Sequence, residues 1–262
     1  MDGARRFEWT EPVEVGSEGP APRAPRDISG RMREAGVTLN GSRSDGYAAT
    51  RARVEGYFDG TATKAWADLT SDVPVSGIRA TVRAGRDRMR GVILSRLPAD
   101  LTGARVLDAG CGTGAKAAAL AARGAEVVAV DVSPRLLAVA AARLEAGLRG
   151  RVTFRVGDML DGGLGSFDAV VAQDSMIYYR APDLRAGLAA LAARSPLVVA
   201  SLAPRTALLQ AMFWAGKAFP RADRSPAMVP HDVHRLARDL GGRVVERVNS
   251  GFYISTALEI RA

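Results

Sequence analysis

The stretch Arg105-Val-Leu-Asp-Ala-Gly-Cys-Gly-Thr-Gly114 decides the fold of this chain. A short apolar run ends in Asp108, glycine then recurs at Gly110, Gly112 and Gly114, and an alanine-rich helical segment follows. A strand, a glycine turn and a helix in this order let a small ligand contact bare main chain at the carboxyl edge of a parallel sheet. The spacing is G-x-G-x-G after an acid, whereas a dinucleotide-binding turn reads G-x-G-x-x-G.

Two more strand-like runs end in acids. The run Glu126–Asp131 ends 23 residues after Asp108, a separation at which a carboxylate can accept both hydroxyls of a ribose lying across the sheet edge. Ser133 and Pro134 then predict a cap and first turn for a helix over 135–148. The third run, Val152–Val156, is followed by Asp158. Each acid alone could be a loop or cap residue, but three in one alternating series indicate a nucleoside site.

The acid followed by G-x-G-x-G resembles motif I of the class I S-adenosylmethionine (SAM) methyltransferases. The resemblance implies that main chain seats the methionine end of SAM, that the next acid binds the ribose, and that the third acid takes the adenine amino group beside an apolar cover. The alternative is a plain tight turn between strand and helix. The expected SAM-binding residues are Asp108, Gly110, Cys111, Gly112, Gly114, Asp131, Val132, Asp158, Met159 and Gln173.

Composition argues against a nucleic-acid partner, although the net charge is +8 and the pI about 10.3. Lysine occurs only three times, and the arginines are spread along the chain instead of forming a basic run. The single cysteine, Cys111, excludes an internal disulfide and suits a reducing compartment, where we expect it to act as a small apolar filler. No apolar stretch approaches the length of a membrane span, about 18 residues.

The order of elements predicts an α/β fold with a Rossmann-like, mostly parallel sheet. Strand and helix patterns alternate five times from residue 101 to about 204, with the fourth strand at Phe167–Ala172 and the fifth at Leu197–Ser201. Two final strands, Arg243–Val248 and Tyr253–Ile260, should form an antiparallel hairpin at one edge. We expect a disordered tail over 1–45, a helical cap over 46–100, and a SAM-binding domain over 101–262 with a helical insertion at about 205–228.

An arginine strip marks the predicted helix over 77–97. At about 100° per residue, an apolar stripe from Ile78 to Ile93 lies beside a strip formed by Arg79, Arg83, Arg86 and Arg90. The strip is either a solvated basic face or a clamp for carboxylates, which guanidinium groups bind bidentately. Docking to an acidic membrane or partner is a third interpretation.

The segment after the fourth strand bears on the methyl acceptor. It reads QDSMIYY over 173–179, without the Asn/Asp-Pro-Pro-aromatic motif of enzymes that methylate base amines. A propionate acceptor resembles a Glu side chain and is ionised at neutral pH, so it needs alignment and partial desolvation but no strong base.

Several segments are similar to the bacterial magnesium-protoporphyrin IX O-methyltransferases of bacteriochlorophyll synthesis: YFDGTATKAW (57–66), DLTSD (68–72), IRATVRAGRDRMR (78–90), PRADRSP (220–226) and SGFYIS (250–255). The resemblance covers 47–262. It implies SAM-dependent methylation of one ring propionate of Mg-protoporphyrin IX, a helical lid, and cooperation with the porphyrin-binding subunit of magnesium chelatase. The expected location is the cytoplasm, with peripheral contact at the inner or photosynthetic membrane.

The acceptor site is predicted from this resemblance and from the positions of the arginines around the helix over 77–97. Tyr178 and Thr70 are the catalytic candidates, Arg79, Arg83, Arg86 and Trp214 are the substrate-binding candidates, and no protein-bound metal is expected. The family commonly has Ile-His-Tyr where this chain has Ile177-Tyr178-Tyr179, and a tyrosine with a pKa near 10 is no base at neutral pH. His231 and His234 are expected to be surface caps, with an axial magnesium ligand or substitute base as the alternative.

Two other functions stay open at this point. One is a class I methyltransferase acting on another small carboxylate or hydroxyl substrate, with the arginine strip merely solvated. The other is a SAM- or porphyrin-binding escort that has lost turnover, which Tyr178 makes conceivable. A nucleic-acid methyltransferase ranks last.

Overall fold

The structure is a computed structural model, and it describes residues 44–60, 62–71, 73–207, 209–210 and 226–261. Within these ranges the helices are α1 Asp45–Asp59, α2 Thr63–Leu69, α3 Gly77–Leu94, α4 Ala115–Ala122, α5 Pro134–Arg143, α6 Ala181–Ala192 and α7 Val233–Asp239. The strands are β1 Arg105–Ala109, β2 Glu126–Asp131, β3 Val152–Val156, β4 Ala169–Gln173, β5 Leu197–Leu202, β6 Arg243–Ser250 and β7 Tyr253–Arg261.

The seven strands form one sheet in the order β3-β2-β1-β4-β5-β7-β6. Strands β1 to β5 run parallel, and β7 pairs antiparallel with both β5 and β6. The predicted α/β fold with a C-terminal antiparallel hairpin is therefore confirmed. The chain reverses its direction of travel across the sheet between β1 and β4, which is the point where open α/β sheets bind ligands.

The central strands are buried on both faces, and their sequences are nearly continuous apolar runs for that reason. Alternate residues enter the two cores: Leu107 and Val170 belong to one, Val106 and Val171 to the other. Helix α3 packs on the hairpin strands through its apolar stripe, where Met89 and Ile93 are fully buried. Ile78, the first predicted residue of that stripe, is exposed instead.

Two helices end earlier than predicted. Ser133 and Pro134 cap and begin α5 as expected, but the helix ends at Arg143 and a 3-10 helix over Ala146–Arg151 follows. Gly147 and Gly150 fall in that second stretch, and glycine is a poor residue for an α-helix interior. Helix α3 ends at Leu94 because Leu97 precedes Pro98, and a residue before proline is biased away from helical backbone.

Two of the predicted segments are only partly described. The tail over 1–45 falls outside the described residues except for Ser44, which caps α1, and Asp45. Most of the predicted helical insertion, including Trp214, also falls outside them. Among the described helices, none combines the length and apolar character that crossing a bilayer requires.

Candidate functional site

The glycine turn after β1 is built from left-handed backbone. Gly110, Gly112 and Gly114 all have positive φ, at 72°, 55° and 81°. The N–H groups of Gly110 and Cys111 both donate to the Val130 carbonyl, at 2.8 and 3.0 Å, which ties the turn to the end of β2. A Cβ atom on Gly110 would lie 2.2 Å from the Cβ of Ser175, so no larger residue fits there.

A buried ion pair between Asp108 and Lys116 stabilises this turn. The Asp108 carboxylate is fully buried, and Lys116 of α4 places its Nζ 3.1 Å from Asp108 Oδ1. Burial raises the pKa of Asp108, and Lys116 opposes the rise. Asp108 lies outside the lining of the neighbouring cavity, whereas Lys116 is part of that lining. The observed contact of Asp108 joins the turn to α4, and the predicted ligand contact of Asp108 stays a prediction.

Asp131 ends β2 with both carboxylate oxygens toward the turn and the next helix. Its Oδ2 accepts the Gly112 N–H at 2.8 Å, and its Oδ1 accepts the Ser133 N–H at 3.0 Å. Burial raises the pKa of Asp131, and the two N–H groups oppose that rise. The carboxylate lines the cavity beside Val132, where each oxygen keeps a further lone pair for a ligand hydroxyl.

Asp158 is held by the first helix of the cap. Its Oδ1 accepts hydrogen bonds from the Tyr47 hydroxyl and from the Leu160 N–H, each at 2.8 Å, and Arg51 Nη1 lies 3.7 Å from Oδ2. The Tyr47 ring also stacks on Tyr179 at 4.7 Å between centroids. Tyr47 and Arg51 therefore belong to the site. No sequence signal pointed to them, because the contact between Tyr47 and Asp158 spans 111 residues.

The second helix of the cap is tied to the glycine turn and to α5. Thr113 Oγ1 donates to Thr70 Oγ1 at 2.8 Å. Arg143 donates to the Thr70 carbonyl at 3.2 Å and to the Ala67 carbonyl at 2.9 Å. The end of α1 is tied down as well, since Asp59 Oδ1 accepts from Ser133 Oγ at 3.1 Å. The cap thus covers the carboxyl edge of the sheet with hydrogen bonds to the elements that form the turn.

Between cap and sheet lies a first cavity of about 250 Å³. Its lining includes the glycine turn, the carboxylates of Asp131 and Asp158, and aromatic residues of the cap. The predicted residues that line it are Gly110, Cys111, Gly112, Asp131, Val132, Asp158, Met159, Gln173, Tyr178, Thr70, Arg83 and Arg86. Gly114 lies behind the turn against Ala140, so its role is to form the turn.

A second cavity of about 510 Å³ adjoins the first. Its walls are mostly apolar, and the apolar lining includes Val82, Ile177, Ala203, Leu209 and the hairpin residue Ile254. Met228 and Phe252, both exposed, stand at its edge. The two cavities share four lining residues, which are Trp66, Arg86, Asp174 and Tyr178.

The arginine strip does not act as one unit. Arg83 donates to the carbonyls of Leu69, Asp68 and Val73, so it fixes the loop between α2 and α3. Arg90 pairs with Asp87 on its own helix. Arg86 reaches the junction of the two cavities, whereas Arg79 is exposed and outside both linings.

Tyr178 and the histidines differ in surroundings. Burial raises the pKa of Tyr178 above its usual value, so this hydroxyl stays protonated at neutral pH. His231 is buried, not a surface cap as expected, because its main chain bridges Pro204 and its N–H donates to Ala203. Burial lowers the pKa of His231 to about 4, so the ring is neutral. His234 is exposed.

Asp174 is a site residue that the sequence patterns did not indicate. It follows Gln173 at the end of β4, has a positive φ of 53°, and is buried where both cavities meet. An acid in a loop after a strand carries no distinguishing signal by itself. The positive φ and the partners, which come from distant parts of the chain, are visible only in the structure.

Comparisons with known proteins agree with this geometry. Residues 172–262 match the family model described as magnesium-protoporphyrin IX methyltransferase C-terminus, and 106–194 match a methyltransferase domain model. The magnesium-protoporphyrin O-methyltransferase of Rhodobacter capsulatus is 57% identical over 82% of this chain and 98% of its own length. The chloroplastic magnesium protoporphyrin IX methyltransferase of Arabidopsis thaliana is 31% identical over 79% of this chain and 69% of its own.

A solved structure is similar as well. The crystal structure of magnesium protoporphyrin IX methyltransferase from Synechocystis PCC 6803 with bound S-adenosylhomocysteine (SAH) has a TM-score of 0.66 and 26% identity. The similarity covers 80% of this chain and 98% of that one.

Proposed function

The chain belongs to the magnesium-protoporphyrin O-methyltransferase family, and on that premise we propose that it transfers a methyl group from SAM to a ring propionate of Mg-protoporphyrin IX. The products are the monomethyl ester and SAH. One observation supports this function above the others: the cavity built on the glycine turn, with Asp131 and Asp158 in its lining, shares Trp66, Arg86, Asp174 and Tyr178 with a mostly apolar cavity. A small polar donor and a flat apolar acceptor could meet across those four side chains.

The first cavity fits SAM. Gly112 exposes its main chain to the cavity, and a Cβ added there would lie 3.5 Å from Trp66 Nε1. The turn and the indole therefore border a space that no side chain fills. Ser175 Oγ is buried beside the turn and lacks a hydrogen-bond partner in the described part of the chain. We assign the ribose hydroxyls to Asp131 with Val132, and the adenine to Asp158 with Met159. A similar solved structure holds SAH, which supports a SAM-type ligand for this protein.

The acceptor class follows from the protonation states at the junction. A hydroxyl acceptor must lose a proton during transfer, and it would need a base. Tyr178 is protonated, and the Asp174 carboxylate is fully engaged with hydrogen-bond donors. A propionate arrives ionised, so these residues need only align it and keep water away.

SAM supplies an electrophilic methyl group on a sulfonium. A lone pair of the propionate oxygen forms the new O–C bond while the C–S bond breaks, and its electron pair passes to sulfur. No proton moves. The protein contributes alignment: Arg86 binds the carboxylate, the protonated Tyr178 hydroxyl donates a hydrogen bond to it, and Trp66 covers the reacting centre.

The remaining predicted site residues take different roles in this proposal. Thr70 and Arg83 shape the cap over the cavity through the hydrogen bonds described above. Arg79 stands at the exposed end of the strip and would meet the second carboxylate only at the cavity edge. Trp214 stays a proposed wall residue from outside the described ranges.

Partners and location are further proposals. We assign residues 46–100 to a lid over a SAM-binding domain that spans 101–262. The family resemblance suggests transfer of the porphyrin from the chelatase subunit in the cytoplasm and peripheral contact with the photosynthetic membrane. Exposed Met228 and Phe252 at the cavity edge suit contact with an apolar surface.

The proposal is tested with purified protein, SAM labelled in its methyl group, and Mg-protoporphyrin IX. We expect a labelled, less polar porphyrin whose mass has increased by one methylene, together with SAH. Mg-protoporphyrin dimethyl ester is the matched control, because it has the same ring and no free carboxylate. Porphyrin binding without ester formation would favour the escort, and a lack of porphyrin binding by protein that binds SAH would favour another substrate.

A further inference from the structure

The Asp174 carboxylate accepts hydrogen bonds from four side chains. Its carboxylate accepts hydrogen bonds from Tyr253 at 3.0 and 3.1 Å, from Ser201 at 2.6 Å and from Ser255 at 3.2 Å. Its own N–H donates to Ser201 Oγ at 2.9 Å. Arg86 Nη1 completes the set at 2.7 Å. The donors come from β5, β7 and α3, so one carboxylate joins the sheet to the cap.

This arrangement excludes a base role for Asp174. A carboxylate offers about four lone-pair directions, and four donor groups already use them. Burial and the nearby Asp174 charge raise the pKa of Tyr253, so its hydroxyl stays protonated and keeps donating.

Among the four groups that donate to Asp174, Arg86 is the one that lines both cavities and carries a positive charge. Its guanidinium lies 4.6 Å from the Trp66 ring centre, and Gln173 Nε2 donates to its main-chain carbonyl at 2.8 Å. Gly85 allows α3 to pack closely on Tyr253 of β7, because a Cβ at position 85 would lie 2.4 Å from the Tyr253 ring. Within the described residues, only Nη1 of its donor atoms has a hydrogen-bond partner, which leaves Nε and Nη2 available at the junction.

From these contacts we infer that Asp174 is a positioning residue for acceptor selection. It fixes the Arg86 guanidinium where the cavities meet, so that the remaining N–H groups bind an anionic acceptor group beside the methyl donor. The left-handed backbone at Asp174 supports this role: it turns the chain at the end of β4 so that the carboxylate points back to α3, and asparagine and aspartate adopt that conformation more readily than most other non-glycine residues. The inference rests on the proposed function and adds a residue that recognises the acceptor indirectly.

The test measures porphyrin binding to SAH-loaded protein from the Soret band, so it does not depend on turnover. Asp174→Asn keeps the shape and the tolerated backbone but removes the charge that holds Arg86. We expect it to weaken binding of Mg-protoporphyrin about ten- to a hundredfold, the range for a lost charged hydrogen bond. Binding of the dimethyl ester, which lacks the carboxylate, should be unchanged. Arg86→Ala should show the same selectivity, and the double variant should bind no more weakly than Arg86→Ala alone.

Glu259→Gln is the matched control. Glu259 is a buried carboxylate with the partners Arg96, Arg243 and Arg261, and it lies outside both cavity linings. It should change neither porphyrin affinity. If Asp174→Asn fails to fold, as judged by SAH affinity, Tyr253→Phe takes its place, with a smaller loss of the same selectivity.

Three results would overturn the inference. The first is that Asp174→Asn weakens binding of Mg-protoporphyrin and of its dimethyl ester equally, which would indicate a purely structural role. The second is that the losses of affinity in Asp174→Asn and Arg86→Ala add in the double variant. The third is that Asp174→Asn binds Mg-protoporphyrin as tightly as the wild type. Failure of the proposed function appears separately in the wild-type protein, as an absence of porphyrin binding or of ester formation before any variant is compared.

Discussion

The buried pair of Asp108 and Lys116 gives the sharpest test of how the glycine turn is held. Lys116→Met keeps the length and apolar stem of the side chain but removes the charge 3.1 Å from a fully buried carboxylate. With an effective dielectric constant of about 20, that attraction is about 5 kcal/mol. Breaking a buried pair by removing one partner typically costs about 3–5 kcal/mol, and we expect the free energy of unfolding to fall by that amount at neutral pH.

The pH dependence of this loss identifies its cause. Burial raises the pKa of Asp108, and without Lys116 the pKa must rise further. A carboxyl whose pKa is raised by folding contributes stability that is complete below its unfolded value, about 3.9, and is lost as the pH rises through the folded value. The difference in stability between wild type and Lys116→Met should therefore shrink as the pH is lowered from 7.5 toward 5.

Denaturant unfolding at several pH values, with SAH affinity as a second readout, measures this effect. Lys64→Met is the matched control, because Lys64 pairs with Asp68 on an exposed helix surface and such pairs contribute little. Adding Asp108→Asn to Lys116→Met should restore most of the lost stability, since no charge remains buried. A loss that is independent of pH, or a double variant no more stable than the single, would refute the reasoning.

Three further predictions concern the donor site and the acceptor. Gly110→Ala should abolish SAH binding in calorimetry, because its Cβ would meet Ser175 and its φ is 72°, while Gly91→Ala, which meets nothing, should bind normally. Arg143→Ala should speed SAH dissociation in stopped-flow about tenfold by removing hydrogen bonds that hold the cap, and Arg149→Ala should not; equal rates would contradict a closed cap. Tyr178→Phe should lower kcat by less than about a hundredfold, the range for one lost hydrogen bond to a charged group, without changing the pH–rate profile between pH 6 and 9. A profile that loses an inflection would show that Tyr178 titrates after all.

The sheet and the grouping of the proposed donor-site residues were predictable because their determinants are local. A strand, its glycine turn and its terminal acid are adjacent in the chain, and parallel strands bring their carboxyl ends to one edge. Asp131, Asp158 and the turn could therefore be placed together from the order of residues alone. The hairpin was predictable for the same reason, since only Gly251 and Phe252 separate its strands.

The acceptor side was less predictable because its contacts are long-range. The helical wheel grouped four arginines by angle, but it could not tell that Arg83 would bind the carbonyls of its own loop or that Arg86 would find Asp174, 88 residues away. The same limit applies to Asp108, whose Lys116 partner looks like an ordinary helix residue in the sequence. Spacing identifies which face a charge occupies, and tertiary packing decides what it binds.

The replacement of the family histidine by Tyr178 is consistent with an acceptor that needs no base. The acceptor carboxylate carries its own charge, so the protein has to hold two reactants in line and to limit water, which is where much of a bimolecular barrier lies. The charges at the junction suit this requirement, because the Asp174 carboxylate pairs with the Arg86 guanidinium at 2.7 Å. A histidine there would add a titrating group near neutral pH to a reaction that releases no proton. A buried, protonated tyrosine can donate a hydrogen bond at every physiological pH, and the proposed reaction therefore depends on geometry more than on proton transfer.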